Sequence, residues 1–249
     1  MDTTHIIYIG AVFVLAGMVK GVTGMGLPTV AVGLLSLFIP PLEAASLMIV
    51  PSLLSNVWQL SSGAPVYPLW QRLRPMLVAI WIGTLGCGAA FAAMGEALGG
   101  SGANLTLGAA LAVYGAMGLL SVRFVVPVGY ERWLSPVMGV LTGALRAASG
   151  VSTLPSVPYL QALGLSRDEL VQAMGLAFTA ATSALAISLA MHNALPASVA
   201  GGSLLAQFPA MAGMYIGQRL RKRMDAQIFR RCFFVTLIGL GVQLLFSGS

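Results

Sequence analysis

Residues 12–30, VFVLAGMVKGVTGMGLPTV, and residues 140–157, VLTGALRAASGVSTLPSV, each carry one cation inside an apolar run and follow it with glycines and a proline. A cation near the centre of a bilayer costs about 2.5 to 3.5 kcal/mol on insertion scales, so a cation kept there indicates a functional site. The two cations are Lys20 and Arg146. Their surroundings decide how the rest of the chain is interpreted.

The two stretches match at an offset of 126 residues. At this offset, identical or similar residues coincide in four pairs: Gly17 with Gly143, Lys20 with Arg146, Gly24 with Gly150, and Glu43 with Glu169. Pro28 and Pro155 miss this alignment by one residue. This match predicts an internal duplication that places one cation in each half. We expect residues 1–126 to form a first transmembrane repeat and residues 127–249 a second, within one integral membrane domain.

The composition indicates a membrane protein. Hydrophobic residues make up 57% of the chain and charged residues 8%, and the mean hydropathy is +0.89, which leaves too little polar surface for a soluble globule. The apolar runs are long and unbroken by alternating polar residues, so they predict helices and not a barrel. The expected fold class is an all-α polytopic membrane protein.

Ten apolar stretches follow one another along the chain, five in each half. They lie at about 5–22, 26–39, 43–62, 74–95, 105–125, 134–149, 151–165, 169–190, 198–218 and 230–247. In each half a glycine-broken pair of short helices is expected, followed by three spanning helices, which gives about eight to ten membrane segments. Short segments broken by glycine and proline at corresponding places in two repeats are typical of a transport site.

The charges predict how the segments are oriented. The two short segments of each half can either form a hairpin that re-enters the same side of the membrane or both span the membrane. In either case, each half crosses the membrane a net odd number of times. The second half then enters the membrane with the opposite orientation. Eleven of the thirteen cations then fall on one side, which the positive-inside rule assigns to the cytoplasm. They are the loop cations Arg72 and Arg74, then Arg123, Arg132 and Arg167, and the six between Arg219 and Arg231. Inverted-topology repeats with both termini outside are therefore predicted.

The two breaks are the predicted anion site. A helix interrupted by glycine exposes backbone N–H groups and the positive end of a half-helix, and a nearby cation adds a full charge. The candidates are Lys20, Thr23, Gly24, Met25 and Gly26 in the first half, and Arg146, Ser149, Gly150, Ser152 and Thr153 in the second. Arginine can hold an oxyanion with two parallel hydrogen bonds, whereas lysine acts as a point charge.

Structural alternatives exist for these residues. Lys20 could extend to the membrane interface, and Arg146 could pair with helix-end carbonyls. Three further polar residues near the breaks, Asn56, Gln161 and Gln172, are the preferred additional ligands, although bonds between helices are the commoner role for such side chains.

Missing features exclude several functions. None of the seven acidic residues lies in the middle of a predicted spanning segment, which disfavours a cation pathway or a carboxylate proton relay. The sequence also contains no Walker loop, no Ser/His/Asp set and no His/Cys metal spacing, so we expect no enzymatic activity, no cofactor and no bound metal. The net charge of +6 is dispersed over loops, which argues against nucleic-acid binding.

Two segments of the chain resemble the TauE/SafE family of sulfite exporter-like anion permeases. They are AGMVKGVTGMGLPTVAVGLLSL at 16–37 and TGALRAASGVSTLPSVPYLQALGLSRDELVQAMGLAFT at 142–179, and the resemblance extends over nearly the whole chain. It implies a transporter of the bacterial cytoplasmic membrane for sulfite, organosulfonates or carboxylates. By motif, the site would comprise Lys20, Gly24, Gly26 and Pro28 with Gly150 and Pro155, and charge adds Arg146.

These observations lead to three functional hypotheses. The first is a secondary transporter that binds a small anion between the two repeats near the membrane midplane. The second is an anion channel with the same lining, and the third is a non-transporting membrane subunit. The expected partners are a small inorganic or organic anion and the lipid bilayer, without nucleic acid, and the chain could form a homo-oligomer.

Overall fold

The computed structural model of the chain describes residues 3–24, 26–61, 63, 65–93, 101–120, 124–192, 197–220 and 226–247. These residues form eleven helices and contain no strand. The helices are α1 (Thr3–Thr23), α2 (Leu27–Leu35), α3 (Pro41–Leu47), α4 (Ile49–Ser61), α5 (Val66–Ala93), α6 (Ser101–Leu119), α7 (Val128–Ser149), α8 (Ser156–Ala162), α9 (Arg167–Met191), α10 (Ala197–Leu220) and α11 (Ala226–Ser247). The prediction of an all-α fold is confirmed.

Four of these helices are long and apolar enough to cross a membrane, within the part of the chain that the structure describes. They are Val66–Phe91, Gly102–Leu119, Arg167–Met191 and Gln227–Phe246, and a shorter apolar helix covers Ile7–Thr23. The chain is therefore a multi-pass membrane protein. The larger count of eight to ten membrane segments stays a prediction.

The helices group into two compact units. Unit 1 comprises residues 1–51, 99–122 and 196–249, and unit 2 comprises residues 52–98 and 123–195. Unit 1 thus contains α1 to α3, α6, α10 and α11, whereas unit 2 contains α5, α7, α8, α9 and most of α4. Each unit includes one of the two glycine breaks.

In unit 1, α1 and α10 approach closely through glycines on both helices. A methyl group built on Gly17 would collide with the carbonyl oxygen of Ala210, and one on Gly213 would collide with that of Val14. Gly21 and Gly217, one turn further along each helix, are equally confined by the facing backbone. Small residues four apart let membrane helices pack backbone against backbone, which fixes α1 up to the break that follows it.

In unit 2, α7 packs on α5 in the same way. A methyl group on Gly139 would meet the carbonyl oxygen of Met76, one on Gly143 that of Ile80, and one on Gly83 that of Val140. Gly17 and Gly143, which coincide at the 126-residue offset, therefore have the same role in their own units. Both hold the helix that carries the cation against a long neighbour.

The structure corrects the predicted segments at three places. The first member of each broken pair is not short, since α1 has 21 residues and α7 has 22, and only α2 and α8 are short. Helix α5 begins at Val66, so Arg72 and Arg74 lie on a helix and not in a loop. The stretch 43–62 is divided into α3 and α4 at Met48.

These differences have physical causes. The segment from Val66 to Arg74 is too polar to be recognised as part of an apolar run, yet its polar side chains are exposed on the helix surface. The division at Met48 precedes Pro51, whose ring nitrogen cannot donate to the carbonyl of Leu47 one turn earlier.

Of the remaining predicted cytoplasmic cations, Arg123, Arg221, Lys222 and Arg223 lie outside the described residues.

Candidate functional site

The first break lies between α1 and α2. Gly24 follows α1 with φ +80°, and its amide donates to the carbonyl oxygen of Lys20 at 2.7 Å. Gly26, with φ +92°, directly precedes α2 and accepts from the amide of Val30 at 2.9 Å. Positive φ is unfavourable for residues with a Cβ, so these glycines end one helix and begin the next. Met25 lies outside the described residues.

The second break repeats this geometry at the end of α7. Gly150 has φ +75°, and its amide donates to the carbonyl oxygen of Arg146 at 2.9 Å. The chain then runs through buried Ser152 and Thr153 before α8 begins at Ser156. In both breaks, the amide of the left-handed glycine donates to the backbone carbonyl oxygen of the cationic residue four positions earlier. The matched pairs Lys20 and Gly24, and Arg146 and Gly150, therefore share one local structure.

Arg146 lies in an unusual environment. Its side chain has 0% exposure, and its Nη2 donates to Oγ1 of Thr182 on α9 over a long distance of 3.4 Å. The Nε and Nη1 atoms have no hydrogen-bond partner among the described residues. Burying a charged group without a compensating partner is energetically costly.

Carboxylates that could neutralise Arg146 lie far away along the helices of unit 2. Glu131 is fifteen residues before Arg146 on α7, and Glu169 is thirteen residues before Thr182 on α9, which corresponds to roughly 20 Å of helix in each case. Glu131 is also engaged by Arg72, which donates from Nε and Nη2 to its two oxygens at 2.8 Å each. Among the described residues of unit 2, no acidic group is placed to pair with Arg146.

Lys20 is the corresponding cation in unit 1. Its side chain is 5% exposed, and it lies in the last turn of α1, directly before the break. The structure thus keeps both predicted cations buried, each within its own unit.

The candidate hydroxyls are partly used by their own helices. Thr23 donates to the carbonyl oxygen of Val19 at 2.9 Å, and Ser149 donates to that of Leu145 at 2.7 Å while accepting from the amide of Val151 at 3.4 Å. The backbone carbonyls of Ser152 and Thr153 accept from the hydroxyl of Ser156. In this conformation, these hydroxyls define the shape of the breaks.

The three further candidates lie at different places in unit 2. Asn56 is buried on α4, and Gln161 is exposed on α8. Gln172 is buried on α9, where its Nε2 donates to the carbonyl oxygen of Gln59 at 3.0 Å, and Gln59 in turn donates to that of Val171 at 2.6 Å. This reciprocal pair joins α4 to α9, which is the interhelical role that the sequence left open for Gln172.

Two further threonines near the second break were not among the predicted site residues. Thr182 accepts the hydrogen bond from Arg146, and Thr84 on α5 lies where Gly143 of α7 crosses. The Thr84 hydroxyl is fully buried and has no partner among the described residues. A threonine in an apolar helix commonly bonds back to its own helix, so the sequence offers no signal that separates these two from ordinary ones.

Short helix α8 is fixed at its carboxyl end by polar contacts in unit 2. The carbonyl oxygen of Ala162 accepts from the amide of Val126 at 3.0 Å, and that of Leu163 accepts from Nη2 of Arg72 at 3.3 Å. The hydroxyls of Ser135 and Tyr159 lie 2.6 Å apart. These bonds hold the chain that follows the second break in a defined position.

No group of three or more His, Cys, Asp or Glu side chains suited to a metal ion occurs among the described residues. The long apolar helices define a multi-pass membrane protein, and unit 2 keeps Arg146 fully buried.

A family model described as Sulfite exporter TauE/SafE matches residues 9–244, which is nearly the whole chain. The chain belongs to this family, and the resemblance found in its two glycine-containing segments is confirmed. No curated protein and no solved structure matches the chain.

Proposed function

We propose that this protein is a secondary transporter of small oxyanions in the bacterial cytoplasmic membrane, and that Arg146 binds the transported anion. The observation that carries the proposal is the guanidinium of Arg146, fully buried with two donor atoms that lack partners among the described residues. An anion would neutralise the charge and accept from the guanidinium. Family membership supports an anion exporter type of transporter, and the sulfite, sulfonate or carboxylate class follows from that resemblance.

The arrangement suits transport better than permanent binding. A guanidinium inside a membrane attracts an anion strongly, but Gly150, directly after the helix that carries Arg146, allows the backbone to adjust when the anion leaves. Lys20 has the same local structure in unit 1. That Lys20 and Arg146 serve the same anion remains a prediction from the internal repeat.

The proposal is tested by binding and transport with purified protein. Thermal stability in detergent would be measured with sulfite, sulfate, thiosulfate, short sulfonates and short carboxylates, because a ligand that binds the folded state raises its stability. Anions that stabilise the protein would then be followed in liposomes by exchange of labelled anion. We expect saturable exchange, and loss of binding in Arg146→Met.

The same experiment separates the alternatives. A conductance far above carrier rates would indicate an anion channel. A protein that neither binds nor moves any anion of the panel at millimolar concentration would contradict transport and favour a membrane subunit. Arg132→Met is the matched control, since Arg132 is an exposed arginine on the same helix.

A further inference from the structure

Thr182 differs from the hydroxyl residues on either side of it. Thr179 donates to the carbonyl oxygen of Gly175 at 2.7 Å, and Ser183 donates to that of Thr179 at 2.8 Å, so both hydroxyl protons are used within α9. The oxygen of Thr182 instead accepts from Arg146, and its proton has no acceptor among the described residues. With 1% exposure, Thr182 is as inaccessible as the arginine it contacts.

Three buried donors therefore lie together in unit 2. Two are the Nε and Nη1 groups of Arg146, and the third is the hydroxyl of Thr182, 3.4 Å from Nη2 of the same guanidinium. The oxygen of Thr182 accepts one hydrogen bond, and its proton remains available to a further acceptor. The carboxylates of α7 and α9 are roughly 20 Å from Arg146 and Thr182 along their helices, so neither helix places a charged acceptor near these donors.

We propose that Thr182 is the third donor of the Arg146 anion site, and that this set of donors selects oxyanions whose oxygens carry no proton. The inference rests on the proposed function of Arg146. An unprotonated oxyanion presents only lone pairs, which the guanidinium and the Thr182 hydroxyl can both use. A protonated oxyanion would bring a further donor into a buried site without a nearby carboxylate, and it would leave fewer unprotonated oxygens for the guanidinium and the hydroxyl to bind.

The first test uses variants of the hydroxyl. Thr182→Val keeps the shape of the side chain and removes the hydroxyl, and we expect it to weaken binding of methanesulfonate by about ten-fold or more, because a hydrogen bond to a charged group is lost. Thr182→Ser should restore most of the affinity. Thr179→Val is the matched control on the same helix, and its affinity should equal that of the wild type. Equal affinity of Thr182→Val and the wild type would show that the hydroxyl is not a ligand.

The second test compares two anions of the same shape and charge. Methanesulfonate carries no proton, whereas methylphosphonate at mildly acidic pH also has one negative charge but retains an acidic proton. We expect calorimetric titration of the wild-type protein to show methanesulfonate binding at least about ten times more tightly. Equal binding of the two monoanions, or no binding of methanesulfonate, would contradict the selection.

The outcomes distinguish this inference from the proposed function. If no anion of the wider panel binds the wild type, the proposed function itself fails. If anions bind the wild type but not Arg146→Met, while Thr182→Val behaves as wild type, only the role of Thr182 fails. A loss of thermal stability in Thr182→Val without anion, with unchanged affinity, would assign Thr182 to structure alone.

Discussion

The hydroxyl of Ser203 on α10 donates to the carbonyl oxygen of Leu47 at 2.9 Å and accepts from the amide of Val50 at 3.1 Å. In a continuous helix, the backbone N–H of residue 51 would donate a hydrogen bond to the carbonyl oxygen of Leu47. Pro51 has no backbone N–H and cannot form this bond. Ser203 therefore satisfies the helix end that Pro51 creates between α3 and α4. This contact lies wholly within unit 1.

Ser203→Ala should lower the free energy of unfolding by about 1 to 3 kcal/mol, because it removes the hydrogen bonds to the carbonyl oxygen of Leu47 and to the partly buried amide of Val50. In a Pro51→Ala background the same change should cost less, since the new alanine has a backbone amide that can donate to the carbonyl oxygen of Leu47. Thermal unfolding of the four proteins in detergent measures the difference. If the cost of Ser203→Ala is the same in both backgrounds, Ser203 does not replace the amide that Pro51 lacks.

Gly150→Ala should destabilise the protein by about 1 to 2 kcal/mol, because alanine is strained at the φ of +75° that caps α7. Gly24→Ala should have a similar cost at φ +80°. Gly86→Ala is the control, since its Cβ would enter open space within helix α5, and alanine there should be neutral or slightly stabilising. Thermal unfolding would detect these shifts, and a neutral Gly150→Ala would show that the left-handed cap is not required.

The sequence predicted much of the framework because its signals are local. Glycine after a cation-bearing apolar run marks the ends of α1 and α7, and the structure gives Gly24 and Gly150 the same φ sign and the same bond to the residue four positions earlier. The division of α3 from α4 also had a local signal in Pro51, which the search for long apolar runs passed over.

Other features depend on contacts that composition cannot reveal. The bond between Arg146 and Thr182 joins residues 36 positions apart, and the Arg72 to Glu131 pair joins residues 59 apart. The sequence identifies Arg146 as a buried cation, but only the fold shows which of the many threonines on apolar helices faces it. For Gln172, the sequence suggested a ligand, and the fold adds that its Nε2 joins α9 to α4.

The positive-inside pattern predicts that both termini are outside and that residues 219–231 face the cytoplasm. Single cysteines at positions 2, 74, 222 and 249 would be labelled with a membrane-impermeant thiol reagent, after Cys87 and Cys232 are replaced by serine. Position 74 is chosen because Arg74 is exposed, whereas Arg72 is engaged by Glu131. We expect positions 74 and 222 to label from one side and the termini from the other. Labelling of 74 and 222 from opposite sides would contradict the inverted repeats.

Arg146→Met and Lys20→Met test the two buried cations directly. Each should leave the protein folded, because removing an intramembrane charge relieves an insertion cost of about 2.5 to 3.5 kcal/mol. Each should also remove a charge-assisted contact with the anion worth about 1.5 to 3 kcal/mol, which corresponds to a loss of affinity of about ten-fold to a hundred-fold or more. Exchange of labelled anion in liposomes and thermal unfolding of the same preparations measure the two effects.

The conservative substitutions sharpen this test. Lys20→Arg should keep part of the transport activity, whereas Arg146→Lys should keep less. A point charge cannot replace a planar guanidinium that contacts Thr182 and, as proposed, also binds the anion. Arg132→Met, on the exposed surface of α7, should transport as the wild type does. If both methionine variants transport normally, the anion site lies elsewhere. If they lose their fold while the remaining folded protein still binds anion, both cations are structural, and the repeated pair of a cation and a left-handed glycine serves only to end a helix.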